Sequence, residues 1–133
     1  METQTSTAVN VARDHINAWG HQDWEKTREM LATDVHAIVT STQSGFERNF
    51  YGSEFTGIDE YMVRKMKAAS LIEPESVHEV SAMGDESNAV IVITMRIGLG
   101  TAGAMVTMVR SCVYLLDGEK KIREERDAFY IIH

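Results

Sequence analysis

From residue 76 onward the chain reads as four β-rich runs, Ser76–Met83, Asn88–Leu99, Met105–Leu116 and Lys121–Ile132. Short turn signals separate them: Gly84-Asp85, Thr101-Ala102-Gly103 and Asp117-Gly118-Glu119. Strands joined by turns this short run antiparallel, because a parallel return needs a long crossover. The second half is therefore a meander, and it needs another layer to cover its apolar face.

The first half supplies that layer. Ala8, Ala12, His15 and Trp19 recur at helical spacing from Thr7, and Gly20 is a stop signal. Asp23 caps a second helix, Trp24–Ala32, with Trp24, Thr27 and Leu31 facing inward. Asp34–Thr42 is a first strand, and 43–56 is irregular. A third helix runs over Ile58–Leu71 with Ile58, Met62, Met66 and Ala69 on one side, and Pro74, the only proline, closes that region. The expected architecture is α+β: a curved, mostly antiparallel sheet wrapped around a long helix and leaving a closed-ended cavity. At 133 residues the chain is expected to be one domain, 1–133, with residues 1–6 frayed.

Composition narrows the partners. The net charge is −7, and the nearest basic cluster, Lys120, Lys121 and Arg123, is diluted by Glu119, Glu124 and Glu125, so no nucleic-acid partner is expected. No run approaches the roughly 18 apolar residues of a membrane span, so no membrane partner is expected either. The N-terminus has no signal-peptide pattern and Cys112 stands alone, which together suggest a cytoplasmic protein. No histidine pair has metal-ligand spacing, no glycine-rich phosphate loop follows a strand, and no G-x-S-x-G run is present. No metal or cofactor is expected.

Charged residues inside apolar strands carry the chemistry: Arg96 in VIVITMRIGLG, Arg110 in MVTMVRSCVYLL and Asp127 in IREERDAFYII. With Gly118-Glu119 at the centre of the last turn, Arg110 falls opposite Asp127. A turn near Gly103 puts Arg96 opposite Arg110. Opposite residues share a face. The expected result is a row Arg96–Arg110–Asp127 bordered by Val92, Thr94, Gly98, Met108, Cys112 and Phe129, the makings of an apolar pocket with a polar centre. Two neighbouring guanidiniums need a second anion besides Asp127: Glu47, Glu125 or a ligand. Asp127, paired with arginine, is expected to stay ionised and to suit a base or orienting role. The same row on the outer face would be a solvated ladder of ion pairs, and a one-residue register error would exchange the faces. His15 lies on the apolar stripe of the first helix as a core residue that could reach the pocket, while His36 is in the first strand. His21, His78 and His133 read as surface or end positions. Trp19, Trp24 and Tyr61 read first as core.

The run HINAWGHQDWEKTREMLATDVHAIV resembles the opening of SnoaL-like and ketosteroid-isomerase-like proteins, and LLDGEKKIREERDAF resembles their closing hairpin. Both groups belong to the NTF2-like superfamily. The resemblance implies the cone-shaped NTF2-like, or cystatin-like, fold with one internal pocket. The catalytic aspartate of ketosteroid isomerases has no counterpart in Ile38-Val39-Thr40, and that family's first-helix tyrosine falls near His15. Glu124-Glu125-Arg126-Asp127 resembles the last-strand run of SnoaL-type cyclases, whose aspartate is the catalytic acid. Limonene epoxide hydrolases are similar in the last strand. Their upstream R-x-D resembles Arg96-Ile97-Gly98, with Gly98 in place of the second aspartate. Their water-holding asparagine resembles Asn49, and their tyrosine falls near Glu47.

Two functions follow. One is an enzyme using general acid–base chemistry (epoxide hydration, cyclisation or isomerisation) on a small apolar molecule. Its catalytic candidates are Asp127, Arg96, Arg110 and Asn49, and its substrate-contacting candidates are His15, Trp19, Tyr61, Met108, Cys112 and Phe129. The other is a non-catalytic NTF2-like module that binds a ligand or assembles a partner. Ile91, Ile93, Met95, Ile97, Val109, Val113, Tyr130 and Ile132 are expected on the outer sheet face, which predicts a homodimer through that face.

Overall fold

The computed structural model describes residues 6–41, 54–98 and 104–132. Helix α1 spans Thr7–Gly20, and Ser6 Oγ accepts the Val9 backbone N–H at 3.1 Å, so Ser6 is a cap and not part of a frayed end. Helix α2 is Trp24–Glu29, capped by Asp23, whose side chain accepts from the Lys26 backbone N–H. It is shorter than its sequence pattern. Met30 O accepts the Ile122 N–H at 2.8 Å, and the chain has already turned into strand β1, Leu31–Ser41. Leu31 is therefore a buried strand residue that pairs with Ile122, and not a helical one. A short strand β2, Glu54–Thr56, leads through Gly57 into helix α3, Ile58–Ala69. Gly57 has φ +103°, a backbone that side chains rarely adopt, and its N–H donates to Val35 O. Strands β3 (His78–Gly84), β4 (Asn88–Gly98), β5 (Met105–Leu116) and β6 (Ile122–Ile132) complete the chain.

The sheet order is β2-β1-β6-β5-β4-β3. The meander β3–β6 is antiparallel, and β1 joins it in parallel alongside β6. α1 lies over β3, β4 and β5, and α3 lies over β1 and β2. Between these helices and the inner sheet face is the apolar core, including Ile91, Ile93, Tyr114 and Ile122. Each aliphatic side chain buried there contributes about 1.5–3 kcal/mol.

Two hairpin registers differ from expectation. Asp117 Oδ1 accepts from the N–H groups of Glu119 and Lys121, and Lys120 takes φ +63°, so the β5–β6 loop has three residues and not two. A bulge follows at Leu115/Leu116. Arg110 then faces Phe129, and Asp127 faces Cys112. The slip is two residues, which preserves the face: Arg110 and Asp127 both point inward and are buried. Across β4–β5, Arg110 faces Ile93 while Arg96 faces Thr107. That slip is three residues, which reverses the face. Ile91, Ile93, Met95 and Ile97, expected outside, form the inner face of β4, while Val92, Thr94 and Arg96 lie on the other side. On α3 the inward side is Tyr61, Met62, Lys65, Ala68 and Ala69, whereas Met66 is 45% exposed. Among the described residues, no helix is long and apolar enough to cross a membrane.

Candidate functional site

The inner face of β6 presents two acids at consecutive inward positions, Glu125 and Asp127, because residues two apart on a strand share a side. β5 brings Arg110 alongside. One turn of α3 brings Tyr61 and Lys65 onto the same spot, since residues four apart lie on one helix face. α1 contributes His15. All six are almost wholly removed from solvent.

Arg110 Nη2 donates to Asp127 Oδ2 at 2.6 Å and lies 3.8 Å from Glu125 Oε2. Lys65 Nζ donates to Glu125 Oε2 at 3.0 Å and sits 5.0 Å from the centre of the Trp19 ring. Tyr61 Oη donates to Glu125 Oε1 and is 2.8 Å from His15 Nε2. With the phenol proton committed to Glu125, the His15 contact requires an Nε2–H donor. His15 Nδ1 is then the bare nitrogen, and it has no hydrogen-bond partner among the described residues.

Burial lowers the His15 imidazole to about 4, so it is neutral at physiological pH. Burial also pushes both acids upward, but their surroundings separate them. Burial raises Glu125, but the adjacent Lys65 charge, with Arg110, outweighs it and holds Glu125 below the usual carboxylate range. At Asp127, burial and the adjacent Glu125 charge prevail over Arg110 and raise the carboxyl to about 7. Of the two acids, Asp127 is therefore the one that binds and releases a proton near neutrality, while Glu125 stays ionised. The expectation that pairing with arginine keeps Asp127 ionised is opposed by burial first and by the adjacent Glu125 charge second, so that Asp127 is only partly ionised near neutrality. The Cys112 thiol is raised by burial and by Asp127, which makes it a packing residue and not a nucleophile.

The structure thus brings Asp127, Arg110, His15, Tyr61 and Cys112 together, with Trp19 against Lys65. Met108 and Phe129 lie buried on the same inner sheet face. Arg96 is separated from them. Its side chain is 49% exposed on the opposite face and 3.6 Å from Glu73, because the three-residue slip turns it outward. Asn49 and Glu47 lie outside the described residues. The second anion named as a possibility, Glu125, is the one in place. Lys65 was missed. It occupies the inward stripe 61-62-65-68-69 of α3, a position that helical periodicity marks as inward only when a lysine is allowed there.

His36 lies apart, in a half-exposed position, with Nε2 2.6 Å from Glu54 and Nδ1 3.3 Å from Glu124. Three depressions lined by described residues follow the C-terminal half of α1. The largest, about 320 Å³, is bordered by Trp19, Gly20, Ile72 and Pro74, and none of the three is lined by Arg110, Glu125 or Asp127. Among the described residues, no cluster of His, Cys, Asp and Glu is placed to hold a metal ion.

Compared with protein-family models and with curated proteins, the chain matches none. Solved structures do match. An NTF2-like protein of unknown function from Burkholderia pseudomallei superimposes with a TM-score of 0.77 at 18% identity, covering 95% of this chain and 92% of that one. A protein with a ketosteroid isomerase-like fold from Catenulispora acidiphila, solved with trimethylamine, gives 0.69 at 15% identity over 92% and 85% of the two chains. A protein with a cystatin-like fold from Silicibacter pomeroyi gives 0.70 at 12% identity over 92% and 74%. At these identities the likeness concerns architecture, and it agrees with the α+β topology seen here: the chain has the NTF2-like fold.

Proposed function

We propose that this protein is an enzyme that performs general acid–base chemistry on a small, largely apolar molecule. Asp127 carries the proton, and Arg110 stabilises the negative charge that develops. One observation carries the reading: a fully buried carboxyl, 2.6 Å from a guanidinium and beside a second buried acid, on an otherwise apolar sheet face; burial foremost raises its pKa toward neutrality. Proton transfer is most efficient when the group's pKa lies near the working pH. A buried acid shifted by a specific charged neighbour is a characteristic mark of a reactive site.

Formal charge selects among the candidate reactions. With His15 neutral, Lys65 and Arg110 balance Glu125 and an ionised Asp127; when Asp127 takes the substrate's α-proton the cluster goes from 0 to +1 as the substrate becomes an enolate of charge −1. A positive surplus in a dry site stabilises a transition state in which oxygen gains negative charge. Isomerisation or cyclisation through an enolate fits this better than epoxide opening through a developing cation.

A second reading has its own support. The cluster is mutually paired and is not reached by the three depressions described above. On that reading the protein is a binding or assembly module, and the network fixes α1 and α3 to the sheet. Incubation with enolisable ketones, lactones and epoxides, with product detection by mass spectrometry, separates the two. The enzyme reading expects turnover of carbonyl substrates and a loss of about 10²-fold or more in Asp127→Asn. Equal rates in both proteins, or binding without turnover, would favour the second reading.

A further inference from the structure

We infer that Glu125, Tyr61, Lys65 and His15 form a positioning unit whose task is to keep the mobile proton of the site on Asp127. The inference rests on the acid–base reading above and assigns four residues a role within it.

The geometry alone divides the two acids. Glu125 receives a donor on each oxygen: Tyr61 Oη on Oε1 and Lys65 Nζ on Oε2 at 3.0 Å. Asp127 receives Arg110 on Oδ2, while its Oδ1 has no hydrogen-bond partner among the described residues. A buried carboxylate is stabilised by donors on both oxygens, so of two neighbouring acids the one with fewer donors binds the proton more readily. The donor pattern therefore places the negative charge on Glu125 and the proton on Asp127.

The donors to Glu125 are themselves constrained. His15 Nε2 is 2.8 Å from Tyr61 Oη, so the phenol oxygen is already accepting and its own hydrogen is directed at Glu125. Lys65 stands one turn from Tyr61 on the same helix, so both approach Glu125 from one side. Among the described residues, the titratable groups around Asp127 are Arg110, Cys112 and Tyr114 from β5, Glu125 from β6, Tyr61 and Lys65 from α3, and His15 from α1. Arg110 and Lys65 favour ionisation of Asp127. His15 is neutral, and burial keeps Cys112, Tyr61 and Tyr114 protonated. Glu125 is thus the only negative charge among them that opposes ionisation of Asp127. Burial acts on Asp127 in either case, so the effect of Glu125 is separable.

The test is a carboxyl titration that needs no substrate. Protein labelled with ¹³C at the aspartate side-chain carboxyl is followed by NMR across pH, and the Asp127 resonance is assigned by its loss in Asp127→Asn. The wild type is expected to titrate near pH 7. In Glu125→Gln the midpoint is expected to fall by roughly 1–3 pH units, because Arg110 then acts without the opposing charge. Tyr61→Phe is expected to move it in the same direction by less, since the proton is drawn partly onto Glu125. Tyr61→Phe supplies the same readout if Glu125→Gln does not fold. A midpoint that stays in place or rises in the folded variants would overturn the inference. A downward shift in a protein that turns over nothing would support the positioning unit and count against the enzymatic reading alone.

Discussion

Asp127→Asn removes a titrating proton while preserving shape, which makes its effect on stability calculable. The folded carboxyl titrates at about 7, against an ordinary value of 3.8. A raised folded value means that the native state binds the proton more tightly than the unfolded chain does. The resulting stabilisation is complete below about pH 4 and is lost as pH rises through 7. At 1.36 kcal/mol per pH unit of differential protonation, the loss between pH 5 and 8 integrates to about 2–3 kcal/mol. His15 acts in the opposite sense: its folded value is depressed, so its contribution is present above 6.5 and lost as pH falls toward 4. Glu125 is likewise depressed, and its contribution is lost only in acid. Both groups remain in the variant, so they largely cancel in the difference between the two proteins. Urea unfolding of wild type and Asp127→Asn at pH 5, 6, 7 and 8 measures that difference. The wild type is expected to lose about 2–3 kcal/mol relative to the variant over this range. Parallel stability curves would refute the assignment of the near-neutral proton to Asp127.

Arg96→Ala is expected to change stability by less than about 0.5 kcal/mol and to leave any turnover intact, since its exposed pair with Glu73 is a surface contact. Chemical denaturation and the turnover assay check this, and a large loss in either would return Arg96 to the site. We also propose a homodimer through the outer sheet face, where Val92, Val109 and Val113 are half-buried while Tyr130 and Ile132 are about half exposed. Light scattering should give about twice the 14.9 kDa chain mass, reverting to one chain in Tyr130→Glu, and a wild-type monomer would count against the interface.

The elements were legible because their signals are local. The α1 stripe at Ala8, Ala12, His15 and Trp19 is buried as its spacing requires. The limits of β5 match the sequence pattern, because turn residues flank a continuous β-rich run. Register was not legible, because it depends on loop conformations that residue types leave open. Lys120 adopting φ +63° lengthened one hairpin loop, and with the bulge at Leu115/Leu116 the slip came to two residues, so the Arg110–Asp127 pairing survived as a diagonal contact. Across the other hairpin, Gly98 pairs with Met105, and the slip of three carried Arg96 to the wrong side. Parity, more than the size of the error, decided which candidate reached the site. Lys65 escaped notice for a different reason. A lysine is usually solvated, and only the convergence of Glu125, Tyr61 and Trp19, from three separate elements, makes its burial tolerable.

The central claim is that Asp127 and Arg110 meet the reacting molecule. A crystal structure of the protein soaked with a small phenolate, a mimic of an enolate, tests it most directly. The account predicts the phenolate oxygen within hydrogen-bond distance of both the Asp127 carboxyl and the Arg110 guanidinium. Well-ordered phenolate held only in the depression beside Trp19, Gly20 and Pro74, with the Arg110–Asp127 pair undisturbed, would contradict it.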